Sequence, residues 1–189
     1  MELTAQEAAV SDDTGFSFEE FVLSRSPHLF KLALLLTGQN WVEAEDLLQI
    51  ALERAYRRRA LLSPHRSPEP YVRQVLVNAS IDRRRLLRRR GEQPLDSASP
   101  EPVTDDRSGD VANRDLLLRA LASLPQRQRT VLVLRYWEDL SEMEIAKMLG
   151  CSVGKVKSQA SRGLARLREM SGFSPRQASG YREVLDGHE

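Results

Sequence analysis

The stretch DLSEMEIAKMLGCSVGKVKSQASRGLARL, residues 139–167, decides how this chain is read. Ser141 followed three residues later by Glu144 is a capping box: the serine hydroxyl can accept from the Glu144 amide while the carboxylate returns to the Ser141 amide. The short helix that follows carries Ile145, Ala146 and Leu149 on one face, and Gly150 ends it. Ser152 can cap a second helix, along which Val153, Val156, Ala160, Leu164 and Leu167 are expected to face inward. Two helices joined by a short glycine-bearing turn make a helix-turn-helix pattern. The second helix leaves Lys155, Lys157, Ser158, Gln159, Ser161, Arg162 and Arg166 off its apolar face. Lys and Arg neutralise phosphates or read guanine, Gln reads adenine, and Ser adds short hydrogen bonds while permitting close approach to base edges. The plain alternative is a solvated helix surface on a structural hairpin. The capping box, the glycine turn and this composition together favour DNA.

Upstream, the same lobe begins near Asn113. Leu117, Leu118, Leu121 and Leu124 line one helix, and Pro125 opens another with Val131 and Leu134. Before it, residues 91–112 hold Pro94, Pro100, Pro102 and Gly109 among Asp, Glu and Ser, a composition expected of a flexible acidic linker. Residues 16–90 read as a separate helical lobe. Phe18, Phe21 and Val22 fit a helix face, and Ser26-Pro27 predicts a fresh helix start running to Thr37 and Gly38. Asn40 with Glu43 predicts an N-cap for a helix carrying Leu47, Leu48, Ala51, Leu52, Ala55 and Tyr56. A proline-bearing loop, residues 63–70, precedes a helix with Val72, Val75, Leu76 and Ala79 inward. The expected fold class is all-α: two small helical domains joined by a flexible acidic linker, the second containing the helix-turn-helix. Residues 1–15 form an acidic N-terminal extension, and 171–189 a C-terminal tail without an assigned role.

Charge supports two functional lobes. The net charge of +1 hides strong segregation, with 12 basic and 2 acidic side chains in residues 54–90 against 2 and 10 in residues 1–53. A basic block either solvates a helix end or meets a polyanion, binding phosphates without reading sequence. Arg83, Arg84, Arg85, Arg88, Arg89 and Arg90 spread around the helix circumference, so some are simply solvated.

Other classes recede. The single cysteine, Cys151, excludes an internal disulfide, and His28, His65 and His188 share no metal-ligand or relay spacing. No nucleophile and base set or phosphate-cradling glycine loop accompanies Glu43, Glu45 and Asp46, so no enzyme activity and no cofactor are expected. No apolar run approaches the roughly 20 residues of a membrane span, and the acidic start lacks a signal peptide's pattern, so a cytoplasmic protein is expected.

The residues now in view resemble a known family. Residues 43–49 (EAEDLLQ), Ala55-Tyr56, Tyr71-Val72-Arg73, Val77-Asn78, Leu124-Pro125 with Arg129, Leu134-Arg135-Tyr136, residues 138–141 (EDLS), Glu144-Ile145-Ala146 and residues 149–158 occur in the order of an extracytoplasmic-function sigma factor of bacterial RNA polymerase, within the sigma-70 family. The opening helix and the arginine bias most resemble the SigE-type branch of actinobacteria. The resemblance implies a factor that binds core RNA polymerase and directs promoter-specific transcription initiation. Residues 16–90 would be sigma region 2 and residues 113–170 sigma region 4. Glu45, Asp46, Leu47 and Gln49 would dock on the clamp helices of the largest polymerase subunit. Ser63, His65, Arg66, Asn78, Arg83 and Arg84 would meet the −10 element, the loop holding a base flipped from the opened strand. Lys155, Lys157, Ser158, Gln159, Ser161 and Arg162 would face the −35 element, with Arg129 nearer the backbone. The linker would thread the RNA exit path. An anti-sigma factor is a further partner the resemblance admits, although no residue identifies one. Two positions depart from the family pattern: Lys155 stands where threonine is common, and Gly163 where alanine is usual, which predicts a looser recognition helix.

Overall fold

The computed structural model describes residues 17–58, 67–90 and 109–171, with the side chains of 84–90, 109–113 and 171 outside that description. Among the described residues there are seven α-helices, one π-helical turn and no strand. In chain order they are α1 (Phe18–Thr37), α2 (Trp41–Arg57), α3 (Glu69–Arg90), α4 (Gly109–Ser123), α5 (Gln126–Leu132), the π-helical turn Val133–Trp137, α6 (Glu142–Leu149) and α7 (Val153–Ser171).

The first lobe is built from α1, α2 and α3. Ser17 caps α1, accepting from the Glu20 amide at 3.2 Å. The helix then runs unbroken through Pro27, so the predicted restart at Ser26 does not occur. Proline removes one backbone bond, to the carbonyl of Leu23, and that residue is 79% exposed, where water can take the bond. Buried Phe21 before the proline and Leu29, Leu32, Leu35 and Leu36 after it tie both halves to one core, which outweighs the break. Gly38 ends α1 with φ +76°, and Asn40 caps α2 as expected, its Oδ1 accepting from the Glu43 amide at 3.0 Å. Leu47, Ala51 and Ala55 of α2 face the core opposite Val72, Val75 and Leu76 of α3.

The second lobe places α7 across α4, α5 and α6. The capping box is formed: the Ser141 amide donates to Glu144 Oε2 at 2.8 Å and the Glu144 amide to Ser141 Oγ at 3.3 Å. Gly150, at φ +59°, closes α6, and the Lys155 amide donates to Ser152 Oγ at 3.3 Å. Val156, Ala160 and Leu167 are buried on α7 as the pattern predicts, whereas Val153 in its first turn is exposed. Gly163 is no loose spot. A Cβ there would lie 2.9 Å from Leu132 Cδ1, so the missing side chain is what lets α7 settle on α5. Two features were absent from the sequence pattern. α4 begins at Gly109, inside the stretch read as linker, and after α5 the chain takes a π-helical turn, with the Glu138 amide donating to the Val133 carbonyl at 3.2 Å.

The lobes touch. α1 packs against α4, α5 and the π-helical turn, and α3 against α5. That contact explains why Val77 and Ser80 of α3 are buried although they lie off the face predicted as inward.

Candidate functional site

The second-lobe surface is built on α6 and α7. With Val156, Ala160 and Leu167 anchored inside, Lys155, Lys157, Ser161 and Arg162 are exposed, and Ser158 and Gln159 are partly covered. Lys157 is not loose: its Nζ lies 3.6 Å from Glu142 Oε2, and Glu142 also pairs with Arg135. The Arg135 hydrogen bond holds the Glu142 carboxyl below its ordinary range and raises the Arg135 guanidinium in turn. The Glu144 carboxyl is likewise lowered, first by the Ser141 hydroxyl and then by the Ser141 amide. The Arg135 and Ser141 contacts fix the start of α6, and the Lys157–Glu142 pair ties that start to the basic face of α7.

On the first lobe, Glu45, Asp46 and Gln49 are exposed on α2. Glu45 accepts from Trp41 Nε1 at 2.9 Å, and Asp46 accepts from Arg83 Nη1 at 3.1 Å. Gln49 borders an open apolar groove of about 490 Å³ lined by Phe18, Val22, Leu48, Leu52 and Tyr56. Leu47 is different. It is 1% exposed, so it belongs to the core and holds α2 in place instead of meeting a partner. Asn78 is exposed on α3 and accepts from Gln74 Nε2 at 3.1 Å. Arg83 faces Asp46 and Glu43, which ties the predicted −10 residue to Asp46 of the predicted docking set. Arg84 lies on α3 with its side chain outside the description, and Ser63, His65 and Arg66 lie outside the described residues.

Arg129 departs from expectation. Instead of standing near a DNA backbone it is 1% exposed, between the lobes. Its Nε and Nη2 donate to the Leu36 carbonyl at 3.2 and 3.0 Å, and Nη1 donates to the Ala122 carbonyl at 2.8 Å. Leu36 sits in the last turn of α1, where carbonyls lack helix partners and a cation is favoured by the helix dipole. Gln126 Nε2 donates to the same carbonyl at 3.1 Å.

Sequence reading missed a second cluster. Glu138, its side chain 1% exposed, lies 2.9 Å from His28 Nε2 through Oε1 and pairs with Arg73, which also reaches Glu69 at 3.5 Å. Trp137 stacks on His28, with centroids 5.6 Å apart and planes 13° apart. His28 and Glu138 are separated by 110 positions, so no local spacing announces them.

Two helical lobes, one carrying a capped helix-turn-helix with a basic outer face, define a nucleic-acid-binding protein. The Sigma-70 region 2 family model matches residues 21–90 and the Sigma-70, region 4 model matches residues 114–167. An RNA polymerase sigma-E factor of Streptomyces coelicolor is 41% identical over 152 residues, covering 80% of this chain and 84% of the relative. ECF RNA polymerase sigma factor SigM of Mycobacterium tuberculosis is 30% identical over 158 residues, covering 84% and 79%. Among solved structures, the sigma factor RpoE of Bartonella quintana, in complex with the anti-sigma factor NepR, superposes with a TM-score of 0.63 at 23% identity, over 81% of this chain and 95% of that one. The chain belongs to the sigma-70 family of RNA polymerase sigma factors, in its extracytoplasmic-function group.

Proposed function

We propose that this chain binds core RNA polymerase through its first lobe and directs promoter-specific transcription initiation, reading the −10 element with the first lobe and the −35 element with the second. It is a non-enzymatic subunit that acts in the cytoplasm. The observation that carries the −35 assignment is α7 itself: one face is anchored by Val156, Ala160 and Leu167, and the other presents Lys155, Lys157, Ser161 and Arg162 beside a capped turn. That is the geometry by which a recognition helix enters a major groove. Ser158 and Gln159 sit on the same helix within reach of base edges. Glu45, Asp46 and Gln49 supply exposed acidic and amidic contacts for the polymerase clamp helices, with Leu47 supporting them from inside. Asn78 and the arginines after it serve the −10 element, with the loop holding Ser63, His65 and Arg66.

The test combines purified protein, core polymerase and a library of promoter fragments. Selective initiation from a subset of fragments is expected, and substitution of Lys157 or Arg162 by alanine should change which fragments are chosen. No selective initiation, or tight sequence-specific binding by the protein alone, would defeat the proposal.

A further inference from the structure

The proposed −35 face of α7 carries three exposed cations, Lys155, Lys157 and Arg162. Among the described residues, Lys155 and Arg162 have no carboxylate within ion-pair distance. Lys157 does: its Nζ lies 3.6 Å from Glu142 Oε2, on the first residue of α6. A carboxylate on a surface meant for a polyanion works against binding, because like charges brought together cost affinity. Glu142 therefore calls for a reason.

The two sides of this carboxylate are held unequally. Arg135 Nη1 donates to Glu142 Oε1, and the Arg135 guanidinium also lies 5.8 Å from the centroid of the Tyr136 ring. Lys157 meets Oε2 at ion-pair distance only, beyond hydrogen-bond range, and its side chain is 66% exposed against 25% for Glu142. Arg135 is the anchor, and Lys157 is the partner free to leave. Its departure strands no bare charge, since Arg135 still neutralises the carboxylate and the positive end of the α6 dipole favours an anion there. The first helix of a helix-turn-helix crosses the DNA backbone, so a lysine tip drawn toward the start of α6 lies on the side where a phosphate would stand.

We infer that Glu142 is a positioning residue for DNA binding: anchored by Arg135, it occupies Lys157 in place of a backbone phosphate, so that Lys157 grips a duplex by exchanging one anion for another. The exchange rests on the −35 reading of α7 given above, whereas the Glu142–Lys157 pair does not. An exchange contributes only the difference between two ion pairs. Lys155 and Arg162 have no such internal partner and contribute their contacts whole. Glu142 thus trims the sequence-independent part of the grip, since phosphate contacts hold a duplex without reading it.

The experiment is a double-mutant cycle in the complex of the full chain with core polymerase. Binding is measured by fluorescence anisotropy on a promoter duplex selected in the library test and on the same duplex with its −35 element scrambled. Glu142→Gln keeps the Ser141–Glu144 box and an acceptor for Arg135, and should tighten binding to both duplexes about fivefold, the upper range for an exposed ion pair. Lys157→Ala alone should weaken binding to both. With Lys157→Ala already present, the gain from Glu142→Gln should fall below about twofold, within the additivity of independent sites. Glu142→Ala repeats the cycle if Glu142→Gln fails to show a helical circular-dichroism spectrum.

An equal gain with and without Lys157 would reduce Glu142 to general repulsion and overturn the exchange. Weaker binding by Glu142→Gln would make the carboxylate a structural group and overturn it as well. A gain confined to the intact −35 element would place Lys157 on a base instead of a phosphate, which also refutes it. If Lys157→Ala weakens binding while Glu142→Gln adds nothing, the exchange alone fails. If Lys157→Ala changes neither duplex, the −35 assignment of Lys157 fails and takes the exchange with it.

Discussion

Replacing Gly38 by alanine probes the joint between the lobes at one atom. Gly38 sits at φ +76° and ψ +45°, a left-handed conformation that costs an alanine about 1–2 kcal/mol. The new Cβ would also lie 2.6 Å from Arg129 Nη1, 3.0 Å from its Cζ and 3.4 Å from the Ala122 Cα. An arginine tip usually swings aside cheaply. Here it is fixed by the Leu36 and Ala122 carbonyls and by Gln126 Oε1 at 2.5 Å, so moving it breaks charge-assisted bonds worth about 1.5–3 kcal/mol each. The expected loss for Gly38→Ala is therefore about 2–5 kcal/mol. Gly150→Ala is the control, because Gly150 is also left-handed, at φ +59°, but has nothing within 4 Å of a built Cβ. It should cost only the conformational part, about 1–2 kcal/mol. Urea and thermal denaturation followed by circular dichroism would measure both, each kcal/mol moving the Tm of a domain this size by about 4–8 °C. Equal losses for the two glycine variants in the native background would refute the reasoning, since they would mean that Arg129 does not fill the space beside Gly38.

Gly163→Ala should destabilise the second lobe, by up to about 2 kcal/mol. The helix propensity gained, about 1 kcal/mol, is outweighed by overpacking of about 1–3 kcal/mol against Leu132 Cδ1 at 2.9 Å and Leu132 Cγ at 3.3 Å, and a raised Tm would contradict this. Ser141→Ala removes the capping hydroxyl and should cost about 1 kcal/mol at neutral pH. Because the folded chain holds the Glu144 and Glu142 carboxyls low, their contribution is complete above the ordinary glutamate range and lost as pH falls through the lowered values. The Ser141→Ala penalty should accordingly shrink in acid, and urea midpoints that keep the same gap at all pH values would argue against it. Lys157→Ala should reduce the slope of log affinity against log salt by about 0.9 if Lys157 meets a phosphate, whereas Arg162→Ala should relax preference at one base position by about 1–3 kcal/mol. Both are read by promoter-binding titrations of the polymerase complex.

Much of this molecule was legible from local chemistry. The Ser141–Glu144 box, the Asn40 cap, the Gly38 and Gly150 helix ends and the Val156, Ala160 and Leu167 positions of the α7 stripe formed as written, because each depends on residues within one or two turns of one another. Pro27 misled for the opposite reason. A proline's local cost is real, but buried Phe21 on one side and Leu29, Leu32 and Leu36 on the other keep the helix continuous through it. Leu47 was grouped with the docking residues around it, although its position on the stripe with Ala51 and Ala55 puts it in the core.

What the amino-acid order determined by itself was most of the helices, the side-chain caps of α2 and α6 and the basic outer face of α7, since side-chain spacing along one helix specifies its inner and outer faces. Only the tertiary structure decided what Arg129, His28, Arg73 and Glu138 do. Their partners lie on other helices, up to 110 positions away, and a buried charge takes its meaning from whichever group the packing of the two lobes sets within hydrogen-bond distance of it.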